Sequence, residues 1–216
     1  MKRILFFTLA VLLSTLSASA YNFKVDGIVY GFNGSYLDYA DYFYVTQGSD
    51  ENLEHINIPS RVTCNGYTLP VTSIGYCAFM NYTSIKSITI GNSVTEISKS
   101  AFSGCTGVKS VTFNAESCSS PSSSSDAWFR DCPLTSLVIG NGVKSIPNYL
   151  AYNQTRLTRV TIPNSVISIG SNAFSECSGL TSVAIPNSVV SIGSNAFSEC
   201  SGLTSVIIPN SVVSLG

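Results

Sequence analysis

Histidine is almost missing from this 216-residue chain, in which His55 is the single copy. A Ser/His/Asp or Cys/His catalytic set would have to use that one ring. Glu54 adjoins it, but no position aligned with it in the repeats described below holds a suitable orienting acid. Phosphate-cradling glycine loops and zinc-binding histidine motifs are also absent, and the cysteines lack the C-x-x-C spacing of a metal cluster. These gaps point away from an enzyme and from any cofactor or metal. Charge is sparse as well, with Asp, Glu, Lys and Arg making up 11% of the residues. A nucleic-acid partner is therefore not expected, because such a surface needs a concentrated basic stripe to displace phosphate counterions.

Long apolar runs are missing beyond the first twenty residues. There Lys2 and Arg3 precede an apolar stretch from Ile4 to Leu16, and Ala18-Ser19-Ala20 forms a small-residue cleavage site. This three-part pattern predicts a secretory signal peptide over residues 1–20, with the mature chain starting at Tyr21. The apolar stretch falls short of the roughly 20 residues that a membrane-spanning helix requires. Export to the cell surface, the medium or the periplasm is the expectation, with no integral membrane segment after signal removal. Without Lys2 and Arg3, nine of the 11 basic residues remain against 12 acidic ones, a formal charge of about −3 with His55 neutral.

What the chain has in abundance is repetition. Residues 162–184 read IPNSVISIGSNAFSECSGLTSVA and residues 185–207 read IPNSVVSIGSNAFSECSGLTSVI, so the unit is 23 residues long. A further copy starts at Ile208, and upstream the equivalent apolar positions are Ile162, Ile139, Phe113, Ile90 and Ile58, spaced by 23, 26, 23 and 32 residues. A near-constant period in this range defines a solenoid, in which each coil buries its apolar side only when neighbours stack on it. The sets Leu53/Ile56/Ile58, Ile85/Ile88/Ile90, Val108/Val111/Phe113, Leu134/Leu137/Ile139, Leu157/Val160/Ile162, Leu180/Val183/Ile185 and Leu203/Val206/Ile208 imply seven stacked parallel strands. Within each set the last two members are two residues apart and point inward from one strand face. Val62, Val94, Val143, Val166, Val189 and Val212 supply further inward rungs, as do Ile74, Ile97, Ile146, Ile169 and Ile192.

The segment Ala-Phe-Ser-x-Cys, at residues 101–105, 173–177 and 196–200, predicts a short helical turn opposite the sheet. Phe79, Phe102, Phe174 and Phe197 would fill the core between the two sides. Pro59, Pro163, Pro186 and Pro209 end their strands because proline has no N–H to donate. These units resemble the BspA-type, or Treponema-type, leucine-rich repeats of bacterial surface proteins. The signature lies in runs such as Ser191-Ile192-Gly193 through Cys200-Ser201-Gly202-Leu203-Thr204-Ser205-Val206, and the resemblance covers residues 53–216, with the last repeat incomplete. The implied fold is a leucine-rich repeat solenoid with a parallel β-sheet on one side and short helical turns opposite. Two coils depart from the pattern. Tyr149 to Gln154 replaces the Ala-Phe-x-x-Cys turn, and around Trp128-Phe129 either ring fits as the core aromatic.

Residues 21–52 lie outside the repeat and are rich in aromatics, including Tyr21, Tyr30, Tyr36, Tyr39, Tyr42 and Phe43. They read as a β-rich cap over the first coil, with a hairpin at Asp26-Gly27. A glycan-stacking platform is the alternative use of these rings. Asn65-Gly66 marks a second hairpin in the insertion between Val62 and Ile74, and Ser117 to Ser125 should bulge as a mobile serine-rich loop. Neither insertion carries recognisable chemistry. Of the seven cysteines, Cys105, Cys177 and Cys200 share a register, Cys132 falls within one residue of it, and Cys64, Cys77 and Cys118 fall outside. The registered ones read as small buried hydrophobes, with a Cys177–Cys200 bridge as the competing reading.

The outward positions of the sheet form the candidate binding face. One column is His55, Ser87, Ser110, Ser136, Arg159, Ser182 and Ser205, and beside it run Thr89, Thr112, Val138, Thr161, Ala184 and Ile207. The face is small, hydroxyl-rich and nearly uncharged, so shape and repetition would hold a partner more than electrostatic steering. The resemblance implies an adhesin binding proteins on host or bacterial surfaces. A structural spacer is the rival, motivated by the near-identity of the last two complete copies.

Overall fold

The computed structural model describes residues 22–34 and 37–216. The signal-peptide reading over residues 1–20, together with Tyr21 and Tyr36, lies outside them. Each hairpin expected from a turn dipeptide is present. Asp26 and Gly27 take positive φ of 49° and 78° between β1 (Phe23–Val25) and β2 (Ile28–Phe32). Asn65 and Gly66, at 49° and 85°, do the same between β5 (Arg61–Cys64) and β6 (Tyr67–Ile74). Both central residues at positive φ give the turn whose twist matches the flanking strands.

Two parallel ladders run along the coils. The principal sheet holds β4 (His55–Ile58), β7 (Ser87–Ile90), β9 (Ser110–Phe113), β10 (Ser136–Ile139) and β12 (Arg159–Thr161), in the order β12-β10-β9-β7-β4. The second side carries two-residue strands built around the isoleucine rungs. β11 (Ser145–Ile146), β13 (Ser168–Ile169), β14 (Ser191–Ile192) and β15 (Ser214–Leu215) pair in sequence, and β8 (Glu96–Ile97) pairs with the end of β6. At the amino-terminal end β3 (Phe43–Val45) joins β2 to β6, aligning Val45 with Ile74. Tyr30 and Phe43 are buried there, whereas Tyr39 and Tyr42 stay exposed.

Five of the seven expected strands pair in the principal sheet. The reason lies in the residue that follows each strand. The Asn114 N–H donates to the Ile90 carbonyl at 3.1 Å, and the Gly140 N–H donates to the Phe113 carbonyl at 2.8 Å. Pro163, Pro186 and Pro209 occupy this position in the next three coils and have no hydrogen to give. β12 shortens to three residues, and residues 182–185 and 205–208 run without strand pairing. Their coils are held instead by the β13-β14-β15 ladder and by the turn opposite.

That turn takes the form of linked tight turns bonded to the neighbouring coil. The Asn172, Phe174 and Glu176 N–H groups donate to the Ser194, Ala196 and Ser198 carbonyls at 2.8–2.9 Å. Asn172 and Glu176 sit at φ of 54° and 64°, which a continued right-handed helix does not accommodate. Phenylalanine rings stack through the core, Phe79 on Phe102 and Phe102 on Phe129, each at 5.4 Å between centroids, and Phe174 on Phe197 at 5.3 Å. Both rings of the Trp128-Phe129 pair are buried. Phe129 takes the column, while Trp128 stacks on Phe113 at 6.0 Å and donates its indole N–H to the Ile97 carbonyl at 2.8 Å.

With Phe129 in the column, Cys132 falls into register with the other repeat cysteines. The Cys105, Cys132, Cys177 and Cys200 thiols lie 3.0–3.1 Å from the carbonyls of Phe79, Phe102, Ala151 and Phe174 on the preceding coil, and each donates to it. They are buried and free, as are the other three in being unbridged. Tyr82 fills the same position in the first coil and donates to the Ser49 carbonyl at 2.8 Å. Bonds to the neighbouring thiols, and then burial, push Cys132 and Cys177 well above the ordinary thiol range, and burial raises Cys118 to about 12. Mass spectrometry of the unreduced protein is expected to return free thiols, with Cys132, Cys177 and Cys118 alkylating slowly at pH 8 in the native state because little thiolate is present. A Cys177–Cys200 crosslink would contradict this arrangement.

Candidate functional site

In a strand, residues two apart share a face, so the inward isoleucines and valines dictate which side chains point out. The register aligns His55, Ser87, Ser110, Ser136 and Arg159 in one outward column. Thr89, Thr112, Val138 and Thr161 align in the second, which begins with Asn57, a residue absent from the sequence-based set although it stands two places after His55. His55, Asn57, Val138, Arg159 and Thr161 are exposed; the serines and Thr89 and Thr112 are half-buried by their neighbours in the columns. Ser182, Ala184, Ser205 and Ile207 are exposed too, but they lie on the two unpaired segments and are not part of the ladder.

The chemistry of this face is that of neutral hydrogen bonding. His55 Nδ1 shares a 2.8 Å hydrogen bond with the Ser87 hydroxyl. No group of three or more His, Cys, Asp and Glu residues suited to a metal ion occurs among the described residues. At the downstream end of β4 and β7 the face runs into an open notch of about 420 Å³ lined by Asn57, Ser60, Thr89, Asn92, Asn114 and Glu116. Gly91 leaves room there, standing where Pro163 and Pro186 stand in later coils. Three side chains of the notch bond one another, Ser60 donating to Asn92 and Asn92 to Glu116 Oε1 at 3.2 Å, while Asn114 donates to the Ile90 carbonyl at 3.0 Å. No helix among the described residues is long and apolar enough to cross a membrane.

The stacked parallel ladders and turn-borne phenylalanine column define the class: a leucine-rich-type β-solenoid. The chain belongs to the BspA-type leucine-rich repeat family, which it matches in six copies over residues 49–125 and 122–216. Among solved structures it is similar to a leucine-rich repeat protein of T. pallidum, at 26% identity over 90% of this chain and 85% of that one, with a TM-score of 0.62. A leucine-rich cell surface protein of Faecalibacterium prausnitzii shares 30% identity over 88% of this chain, with a TM-score of 0.52. A leucine-rich repeat protein of Bacteroides ovatus shares 25% over 91%, with a TM-score of 0.54. The chain spans 55% of the length of each of these last two. No curated protein matches it.

Proposed function

We propose that this chain is an exported binding protein that docks a protein of a host or bacterial surface on its principal sheet, with residues 21–52 acting as a cap on the first coil. The observation that supports this reading most is the in-register outward ladder, a repeated and nearly neutral surface backed by a rigid core. Its size adds a condition. Five strands about 4.8 Å apart span about 19 Å, and four residues extend about 13 Å. The paired ladder thus offers about 250 Å², well below the roughly 800 Å² per partner of a stable interface. A partner must therefore reach over the flanking turns and the Asn57 notch. The description of the F. prausnitzii relative as a cell surface protein agrees with this placement.

The test is capture of matrix and epithelial proteins on the immobilised chain, and recovery of no partner would count against docking. The near-identity of residues 162–184 and 185–207 supports a second reading, a spacer whose length varies by repeat number. Deleting residues 91–113, the 23-residue unit that ends in β9, separates the two, because it takes one strand out of the paired ladder. A spacer keeps its function, whereas a face spanning several coils loses about tenfold or more in affinity, equivalent to about 1.4 kcal/mol.

A further inference from the structure

The serine-rich stretch does not bulge freely. It follows the coil and closes one wall of a groove of about 580 Å³, within the range of pockets that enclose small ligands. We propose that this groove binds a neutral oligosaccharide, with Tyr76 as the stacking platform and Asp126 as the principal hydroxyl acceptor. The site is separate from the principal sheet and stands whether or not that sheet docks a protein.

Tyr76 follows β6 and is 58% exposed, a large aromatic surface beside polar walls. The ring face carries negative charge density that attracts the polarised C–H face of a sugar. Also lining the groove, Asp126 accepts at Oδ2 from the Ser122 and Ser123 hydroxyls, at 2.6 and 2.9 Å, and its Oδ1 has no donor among the described residues. These bonds hold the Asp126 carboxyl below its ordinary range, so it is an ionised acceptor at neutral pH. Glu96 supplies a second carboxylate, and Lys99 a donor whose Nζ lies 5.9 Å from the Tyr76 ring centroid, at the outer limit of a cation–π contact. Two carboxylates against one ammonium disfavour phosphate, sulfate and uronate groups.

An extended peptide is disfavoured for a different reason. A strand added to the open edge of β8 would need the carbonyls there as acceptors. The Thr95 carbonyl already accepts from the Ser119 N–H at 2.9 Å, and the Ile97 carbonyl accepts from the Trp128 indole. The insertion has closed the edge and left side chains to do the recognition.

Trp128 lines the groove and is the only tryptophan, so its emission reports binding in the full chain. The probes are neutral trisaccharides of glucose, galactose, mannose and N-acetylglucosamine, with a glucuronate-containing oligosaccharide as the charged comparison. Saturable binding of a neutral probe at or below about 1 mM is expected, weakened about tenfold or more by Tyr76→Ala and by Asp126→Asn. Tyr76→Phe, which keeps the ring, should bind within about twofold of the wild type. Thermal unfolding of each variant verifies that the fold is intact. Failure of every neutral probe by both fluorescence and calorimetry, unchanged binding in a folded Tyr76→Ala, or preference for the charged probe would overturn the proposal.

Discussion

Phe102→Ala is expected to lower the unfolding free energy by about 3–5 kcal/mol, the cost of deleting a large buried ring whose surroundings relax only in part. Phe102 is fully buried and stacks on Phe79 above and Phe129 below. A solenoid's stability is a sum of coil terms and nearest-neighbour interfaces, so removing this ring weakens two interfaces at once. Phe197 is half-buried and, among the described residues, stacks on Phe174 alone. Its alanine variant should lose only about 1–2 kcal/mol, because less apolar area returns to water. Urea denaturation followed by circular dichroism reads the difference. Equal losses would mean that the column does not carry the coil-to-coil packing.

Gln154 gives the second large effect, and its direction runs against the repeat. It occupies the cysteine position of its coil, is 2% exposed, and donates from Nε2 to the Phe129 carbonyl at 2.9 Å, as the thiols do to theirs. Its Oε1 also accepts from the Leu134 N–H at 3.3 Å. The need for that second bond comes from the coil before. Between the cysteine and the apolar residue that starts the strand there are usually two residues, as in Cys177-Ser178-Gly179-Leu180, but Cys132-Pro133-Leu134 has one. In the longer turn the Leu180 N–H reaches the Cys177 carbonyl at 3.0 Å, and in the shortened turn Gln154 answers the Leu134 N–H from the next coil. Gln154→Leu should cost about 2–4 kcal/mol, since the buried Leu134 N–H is left unmet and the Phe129 carbonyl loses one of two donors, keeping the Cys132 N–H at 3.1 Å. Gln154→Cys, which restores the repeat pattern, should still cost about 1–3 kcal/mol for the orphaned Leu134 N–H. A stabilising Gln154→Cys, measured in the same denaturation experiment, would remove this explanation.

These two positions show what the sequence made legible and what it did not. Inward rungs such as Ile88, Val111 and Leu137 follow from a period of two inside a period of 23, because burial on one strand face imposes it. The turns at Asp26-Gly27 and Asn65-Gly66 follow from the rarity of positive φ in other residues. The loss of pairing after β12 was present in the sequence as Pro163, Pro186 and Pro209, but its effect depends on a hydrogen bond between coils, which no single coil displays. The outward columns were legible from alternation as far as Arg159 and Thr161, apart from Asn57, whereas Ser182, Ala184, Ser205 and Ile207 fall on the unpaired segments. The Tyr76 groove was not, because its walls are 50 residues apart at Tyr76 and Asp126 and meet only when the coils stack. Gly179 makes the same point about close approach: a Cβ there would lie 2.6 Å from the Thr155 carbonyl oxygen, one coil earlier.

The most direct measurement concerns the principal sheet. Thr112 and Val138 are aligned neighbours on β9 and β10, and the pair of substitutions Thr112→Arg and Val138→Arg places two long charged side chains in the middle of the second column. Outward positions away from caps and buried networks usually shift stability by no more than about 0.5 kcal/mol each, so the double variant should unfold almost as the wild type does. Its affinity for a captured surface protein, measured by surface plasmon resonance, should fall by about a hundredfold, equivalent to about 2.8 kcal/mol. Unchanged affinity in a folded double variant would contradict docking on this face.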